Sequence, residues 1–296
     1  MDNRGAFHKR DLHEYHWPQR EQMKSNFELT IQPRKGWQPI DFKEVYLYRE
    51  LLGFLVWRDI KIRYRQTMLG GLWALLQPMI AMLVFTFIFH RLAGMQSDGA
   101  PYPLFAFSGV AAWNFFSASV SQSSNSLITN QQLVSKVYFP RFFIPLGAIG
   151  AFLMDLFLSL GLLGILMIYY RWPLSWTILE LPLFLLGALL ASAGVGLALS
   201  AVNVSYRDVK YAVPFLLQMG IFATPVIYPM RYLPAKWQIV AGLNPMAGVV
   251  VGFRHAILGS PASWPLMALS LAVSLILFIV GLFIFRRMET VFADVI

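Results

Sequence analysis

Arg58 to Pro78 reads R-D-I-K-I-R-Y-R-Q-T-M-L-G-G-L-W-A-L-L-Q-P. Its first half is basic, with Arg58, Lys61, Arg63 and Arg65 against one acid, Asp59. Its second half is apolar and opens a hydrophobic run that continues to Phe89. Arg58, Lys61 and Arg65 are spaced i, i+3, i+7, which puts them on one side of a helix. The pair Gly70-Gly71 allows the chain to turn at little steric cost before it meets apolar surroundings. The stretch therefore reads as a surface helix turning into a membrane span.

Composition agrees. The chain has 296 residues, of which 57% are hydrophobic and 13% charged, and its mean hydropathy is +0.56. Soluble domains carry about 25% charged residues. This chain has too little polar surface to cover itself in water, so a bilayer is its natural solvent. The net charge of +9 suggests nucleic acid at first sight, but thirteen of the twenty-four Lys and Arg lie at or before Arg65. That clustering is an orientation signal of a membrane protein, and no nucleic-acid partner is expected. Cys is absent, which excludes disulfides, thiolate metal sites and a cysteine nucleophile. The first forty residues are polar and no apolar h-region follows the start, so a cleaved signal peptide is not expected. They read as a solvated, partly disordered tail, and His8, His13 and His16 within it are too few to make a metal site.

Residues 41–67 read as amphipathic interfacial helix, with Leu47, Leu51, Leu55 and Ile62 near one side and Trp57 and Tyr64 at headgroup level. Six later stretches approach the roughly 20 residues a span needs. They run from Leu72 to His90, Leu104 to Gln122, Pro145 to Tyr170, Ile178 to Val202, Val213 to Tyr228 and Pro265 to Phe285. The fifth is short, and Pro225 within it predicts a kink. Between it and the last lie two apolar pieces, Gln238 to Leu243 and Met246 to Leu258, which read as half-inserted or interfacial helices. With the N-terminus inside, nineteen basic residues fall on the cytoplasmic side and five outside, so both termini are expected in the cytoplasm. The fold class is an all-α membrane protein: six transmembrane helices, an N-terminal amphipathic interface helix, and short re-entrant helices between spans five and six. The domains are a polar tail over 1–40, the interface helix over 41–67 and the six-span unit over 68–296.

Asn114, Ser117, Ser121 and Ser124, with Asn125 beside them, form one polar stripe on the second span. It must face protein or water, as an inter-helix hydrogen-bonding seam or as a pore wall. Gly187, Ala191, Gly194 and Ala198, and likewise Ser192, Gly196 and Ser200, are spaced for close helix packing on the fourth span. The dense aromatics, including Trp73, Phe85, Phe89, Trp113 and Phe116, suit lipid contact or a wall on which sugar rings stack. Asp155 is the one carboxylate well inside a span. It is expected to be paired or hydrogen-bonded, or else to couple transport to a gradient. No G-x-x-x-x-G-K-S/T occurs, so P-loop nucleotide hydrolysis is excluded. His90 and His255 have no acid nearby in sequence for a Ser/His/Asp arrangement. No catalytic residue is assigned, and energy for any transport must come from a partner or a gradient.

The stretch from Arg58 resembles the signature of type-2 ABC export permeases for polysaccharides. Further matching blocks are S-K-V-Y-F-P-R from Ser135, N-V-S-Y-R-D-V-K from Asn203, T-P-V-I-Y-P from Thr224 and L-N-P-M from Leu243. The resemblance runs from about Phe27 to the C-terminus. It implies a homodimeric permease of the bacterial cytoplasmic membrane bound to two copies of a separate ATPase. That ATPase would hold ATP and Mg, and this chain would bind no cofactor. The substrate would be a lipid-linked glycan of O-antigen, capsule or teichoic type. By the same resemblance, Arg58, Asp59, Lys61, Arg63, Arg65, Lys136, Arg141, Arg207 and Asp208 would meet the ATPase. Trp73, Phe85, Phe89, Trp113, Asn114, Phe116, Ser117, Ser121 and Gln218 are the candidates to line the conduit. The competing readings are a gradient-driven carrier using Asp155 and a membrane enzyme acting on lipid-linked sugars.

Overall fold

The computed structural model of the chain describes residues 42–65, 71–137, 139–289 and 292. The polar tail, its histidines, Gly70 and the last two residues of the expected interface helix lie outside the described residues. Among the described residues the structure is all-helical, with no strand. In chain order the helices are α1 (Phe42–Leu47), α2 (Arg49–Arg65), α3 (Leu72–Phe85), α4 (Tyr102–Thr129), α5 (Gln131–Lys136) and α6 (Phe143–Tyr169). They continue with α7 (Leu181–Ser205), α8 (Val209–Ala223), α9 (Ala235–Gly242), α10 (Pro245–Leu258) and α11 (Trp264–Met288). A π-helical segment, Thr86–Leu92, extends α3, and a short 3-10 turn, Trp176–Glu180, leads into α7.

Among the described residues, five helices are long and apolar enough to cross a membrane: Leu72–Leu92, Tyr102–Thr129, Phe143–Tyr169, Trp176–Ser205 and Trp264–Met288. Five of the six expected spans are thus helices of sufficient length. The stretch expected as the fifth differs. Its helix, α8, has 15 residues, about 22 Å at 1.5 Å per residue, against a hydrocarbon core of about 30 Å. It ends at Thr224, whose ψ of 142° is extended. The ring of Pro225 pushes the preceding residue out of the helical region, so this proline ends the helix where a kink was expected. Pro78 and Pro214 sit inside α3 and α8.

Hydropathy and burial run in opposite directions. The α4 span has the lowest mean hydropathy of the five, 1.3, and the α11 span the highest, 2.8. Yet nineteen of the 28 residues of α4 are buried, while most of α11 is not. A helix that faces lipid must be apolar all round, whereas one surrounded by protein can carry serines and asparagines that find partners. The central post of the bundle is accordingly α4, in contact with α3, α6, α7, α8 and α10.

Small residues set the closest approaches. A Cβ on Gly187 would overlap Leu271, one on Gly194 the backbone at Leu277, and one on Gly281 the backbone of Gly194. The order 187–271 and 194–277 means that α7 and α11 run in the same direction. The opposite stripe of α7 meets α4, with Gly196 against the Ser123 side chain. The spacing of these glycines predicts tight packing, and tight packing is what they make.

The expected interfacial pieces separate. In α9, Trp237, Ile239 and Val240 are exposed. In α10, by contrast, twelve of the 14 residues are buried, between α4, α7 and α11. Gly248 faces Ser270 and Met267, and Gly252 faces the Phe184 ring, so α10 is packed into the core of the bundle. Helix α2 also differs from a flat surface helix. Leu55 packs on Gly147, Val56 on Gly150, and Arg63 on Phe152, so α2 lies lengthwise along the first half of α6.

Candidate functional site: a half-open cavity with a basic collar

A cavity of about 460 Å³ opens between α3, α4, α6 and α8. Its aromatic wall is Trp113 and Phe115 of α4 and Phe152 of α6. Its polar wall is Gln77, Asn114, Ser117, Ser121, Asp155, Ser159 and Gln218. Pro78 and Ala74 also line this cavity, and Pro78 has no N–H to donate to the Ala74 carbonyl. Of the residues expected to line a conduit, Trp113, Asn114, Ser117, Ser121 and Gln218 meet here. Four do not. Phe116 is buried and packs its ring 5.5 Å from Trp113. Phe85 and Phe89 pair edge to face at 6.0 Å, and Trp73 is exposed. Gln77, Asp155 and Ser159 complete the wall from α3 and α6. Isolated polar residues in apolar runs were their only sequence signal.

The polar stripe of α4 divides between its two expected uses. Asn114, Ser117 and Ser121 line the cavity, while Ser124 and Asn125 turn to α7. There Asn203 donates to Ser124 O at 2.8 Å and to Asn125 Oδ1 at 3.1 Å. Asn203 is fully buried, so this bond joins the ends of α4 and α7 just before the Tyr206 turn.

Asp155 is paired, as expected. Arg63 Nη1 lies 2.9 Å from Oδ2, and the Tyr64 hydroxyl donates to Oδ1. The guanidinium also lies over the Phe152 ring, 3.5 Å from its centroid. Burial, with the Asp155 hydrogen bond second, pushes the pKa of Tyr64 up, so Tyr64 remains a donor. A helical wheel places Arg63 about 140° from Arg58, which is why it faces α6 while Lys61 and Arg65 are exposed.

Lys61, Arg65, Lys136, Arg207 and Asp208 form the exposed part of the collar. Arg58 and Asp59 pair with each other at 2.8 Å, and Arg141 donates to Glu289 O at 3.0 Å. Behind the collar one apolar cluster joins Leu55 of α2, Val134 of α5, Phe143 of α6, Val204 of α7 and Phe285 of α11. The collar helices and the ends of three spans are thus packed as one unit.

At the opposite end, buried Arg254 of α10 donates to Phe105 O at 3.1 Å and to the carbonyls of Pro225 and Val226. Tyr102 donates to Ile227 O at 2.8 Å. Nearby, Arg231 pairs with Asp98 at 3.1 Å, whose carboxyl burial pushes above the usual carboxylate range. His255 does have an acid in space: Nε2 lies 3.4 Å from Glu180. Its Nδ1 lies 2.7 Å from Ser260 O, so neither ring nitrogen is placed to activate a hydroxyl.

These features define a multi-pass helical membrane protein with a polar, half-open cavity in its wall and a basic, rigidly packed collar at one end. Residues 50–258 match the family described as ABC-2 type transporter, and the chain belongs to that family. It is a transport membrane subunit, not an enzyme. It is 34% identical over 260 residues to the O-antigen export system permease protein RfbA of Myxococcus xanthus, covering 85% of this chain and 97% of that one. A permease of the same name from Klebsiella pneumoniae is 28% identical over 253 residues, 85% and 96% of the two chains. The polysialic acid transport protein KpsM of Escherichia coli is 26% identical over 247 residues, 78% and 91%.

Proposed function

We propose that this chain is the membrane subunit of an ABC exporter that carries lipid-linked, O-antigen-type polysaccharide across the bacterial inner membrane. A separate ATPase supplies the energy and holds ATP and Mg. The observation that carries the reading is a near full-length match to O-antigen export permeases. The cavity, with rings for sugar faces and amides and hydroxyls for sugar hydroxyls, is consistent with it. The RfbA likeness favours an O-antigen-type substrate over capsule or teichoic glycans, the KpsM identity being lower.

In this reading two copies of the chain face each other and each supplies half of the conduit. Three features support that arrangement: the cavity is open on one side, α3 is little buried, and Trp73, Phe87, Phe215 and Phe222 of α3, its π extension and α8 are exposed. The sixth crossing is α8 continued by Thr224 to Tyr228. These five residues are turns and bends, with Val226 N donating to Thr224 O at 2.6 Å, so the crossing is completed by irregular backbone. Irregular backbone at membrane depth must be satisfied by protein. The carbonyls of residues 225–227 are satisfied, by Arg254 and Tyr102. The collar faces the ATPase in the cytoplasm, with both termini on that side and residues 41–67 as the interface element. Closure of the ATPase dimer pushes α2, α5 and the Tyr206–Asp208 turn, and the apolar cluster behind them carries the push into the spans. A gradient-driven carrier would need Asp155 free to exchange protons, and Arg63 and Tyr64 hold it.

Tagged chain expressed with its ATPase should retain that subunit on purification and stimulate its hydrolysis. Loss of the chain should leave polysaccharide inside the cell. Transport by the purified chain alone in vesicles would refute the reading. Arg207→Glu should leave folding intact, because Arg207 is exposed, and weaken ATPase association several-fold, the scale of one exposed charge reversed in a complementary interface. Unchanged association and unchanged stimulated hydrolysis would remove Arg207 from the interface.

A further inference from the structure

We propose that Asp155 determines which glycans this exporter accepts: it is a fixed acceptor for sugar hydroxyls in a wall that suits uncharged polymer and disfavours polyanionic polymer. The proposal rests on the reading of the α3/α4/α6/α8 cavity as part of the conduit.

Among the described residues, Asp155 is the only charged side chain in the cavity lining. The other polar groups are three amides, Gln77, Asn114 and Gln218, and three hydroxyls. Arg63 neutralises Asp155 but is not in the lining, so the cation stands behind the carboxylate. The wall therefore presents the acceptor end of a neutral pair. A carboxylate offers about four lone-pair sites. One site on Oδ2 is taken by Arg63 and one on Oδ1 by Tyr64. The side chain remains 23% exposed, leaving acceptor capacity towards the cavity. Its position is fixed from two sides: by Arg63, itself stacked on Phe152, and by the Tyr64 hydroxyl.

A passing sugar brings hydroxyl donors, which this acceptor can hold in exchange for water. The faces of Trp113, Phe115 and Phe152 take the sugar's C–H surface. A uronic or sialic acid brings a second carboxylate, and no cation in the lining meets it. An unpaired charge in a partly desolvated site is disfavoured, and the exposed edge of Asp155 repels it further.

The same ion pair ties α2 to α6, so the test must separate selectivity from bracing. Exporter with its ATPase would be assayed in hosts that assemble either a neutral or a uronic-acid-containing polymer on the same lipid carrier. Asp155→Asn keeps the shape and leaves the Arg63 charge uncancelled. Its acidic-to-neutral export ratio should rise about tenfold, the size of one charge-assisted hydrogen bond lost to neutral glycan. Arg63→Gln, which bares the carboxylate, should move the ratio the opposite way and serves if the first variant does not assemble. Equal loss of both polymers in both variants would overturn the proposal. So would recovery of wild-type selectivity in the exchanged pair Arg63→Asp/Asp155→Arg, since only the α2–α6 tie would then matter. The chain has no Cys, so Asn114→Cys gives a single thiol in the cavity. Protection of that thiol from a soluble maleimide by engaged glycan is expected. No protection would overturn the conduit reading and this proposal with it, whereas protection with an unchanged ratio would overturn this proposal alone.

Discussion

Arg254→Met is expected to destabilise the protein by about 3–5 kcal/mol, the scale of leaving several buried carbonyls without their shared donor at about 1–3 kcal/mol each. Arg254 is 3% exposed and is the shared donor for Phe105 O, Pro225 O and Val226 O. Methionine fills much of the space and donates nothing, leaving buried carbonyls unsatisfied at the end of α8. Arg254→Lys keeps the charge, but a single ammonium cannot reproduce the planar fork, so recovery should be partial. Gly109→Ala should act in the same direction, because its Cβ would overlap the Arg254 guanidinium. The measurements are thermal unfolding in detergent and limited proteolysis between residues 224 and 230, where the variants should be cut faster. Wild-type unfolding in Arg254→Met would show that the carbonyls find other donors.

Gly281→Leu is expected to prevent normal assembly of the bundle. Even a Cβ at residue 281 would land on the Gly194 backbone, and one at residue 194 on the backbone of Leu277 and Phe278. Backbone cannot rotate aside as a side chain does, so α7 and α11 must separate along their longest shared contact. Alanine at either position should cost about 1–3 kcal/mol, and leucine more. Yield of monodisperse protein and its thermal midpoint read this directly. Gly161→Ala and Gly164→Ala are the controls, since nothing lies within 4 Å of a Cβ at either position. They should be neutral or gain up to about 1 kcal/mol from helix propensity. Equal losses at all four sites would argue that helix flexibility, and not close packing, is the role of these glycines.

Much of the architecture is legible along the chain because the bilayer imposes a nearly one-dimensional rule: about 20 apolar residues in succession. Five of the six expected spans meet it. Small-residue spacing likewise identifies the packing stripes of α7, since glycines at 187 and 194 necessarily share a side. The errors have equally plain causes. Pro225 looked like a kink because α8 continues in composition beyond it, but the pre-proline restriction acts on Thr224 and ends the helix. The length of Met246 to Leu258 marks it as too short to span, but says nothing of how many neighbours it has, and its near-complete burial is decided by packing. Arg254 counted as one of five outer charges in the orientation argument, yet it is buried as a hydrogen-bond donor. The count still favours the same topology without it.

The cavity was half legible. The α4 stripe is visible in spacing, but where it changes from cavity wall to helix seam depends on where α7 ends and Asn203 falls. Asp155 and Arg63 are 92 positions apart, and Arg254 and Phe105 are 149 apart. Hydropathy and helical spacing are sums over near neighbours, so the sequence by itself determined the membrane class, the helical spans and the family blocks. Which polar groups share one cavity, and which cation cancels which carboxylate, was decided by tertiary packing. Glycine-mediated contacts between distant helices set those neighbours, and no local pattern encodes them.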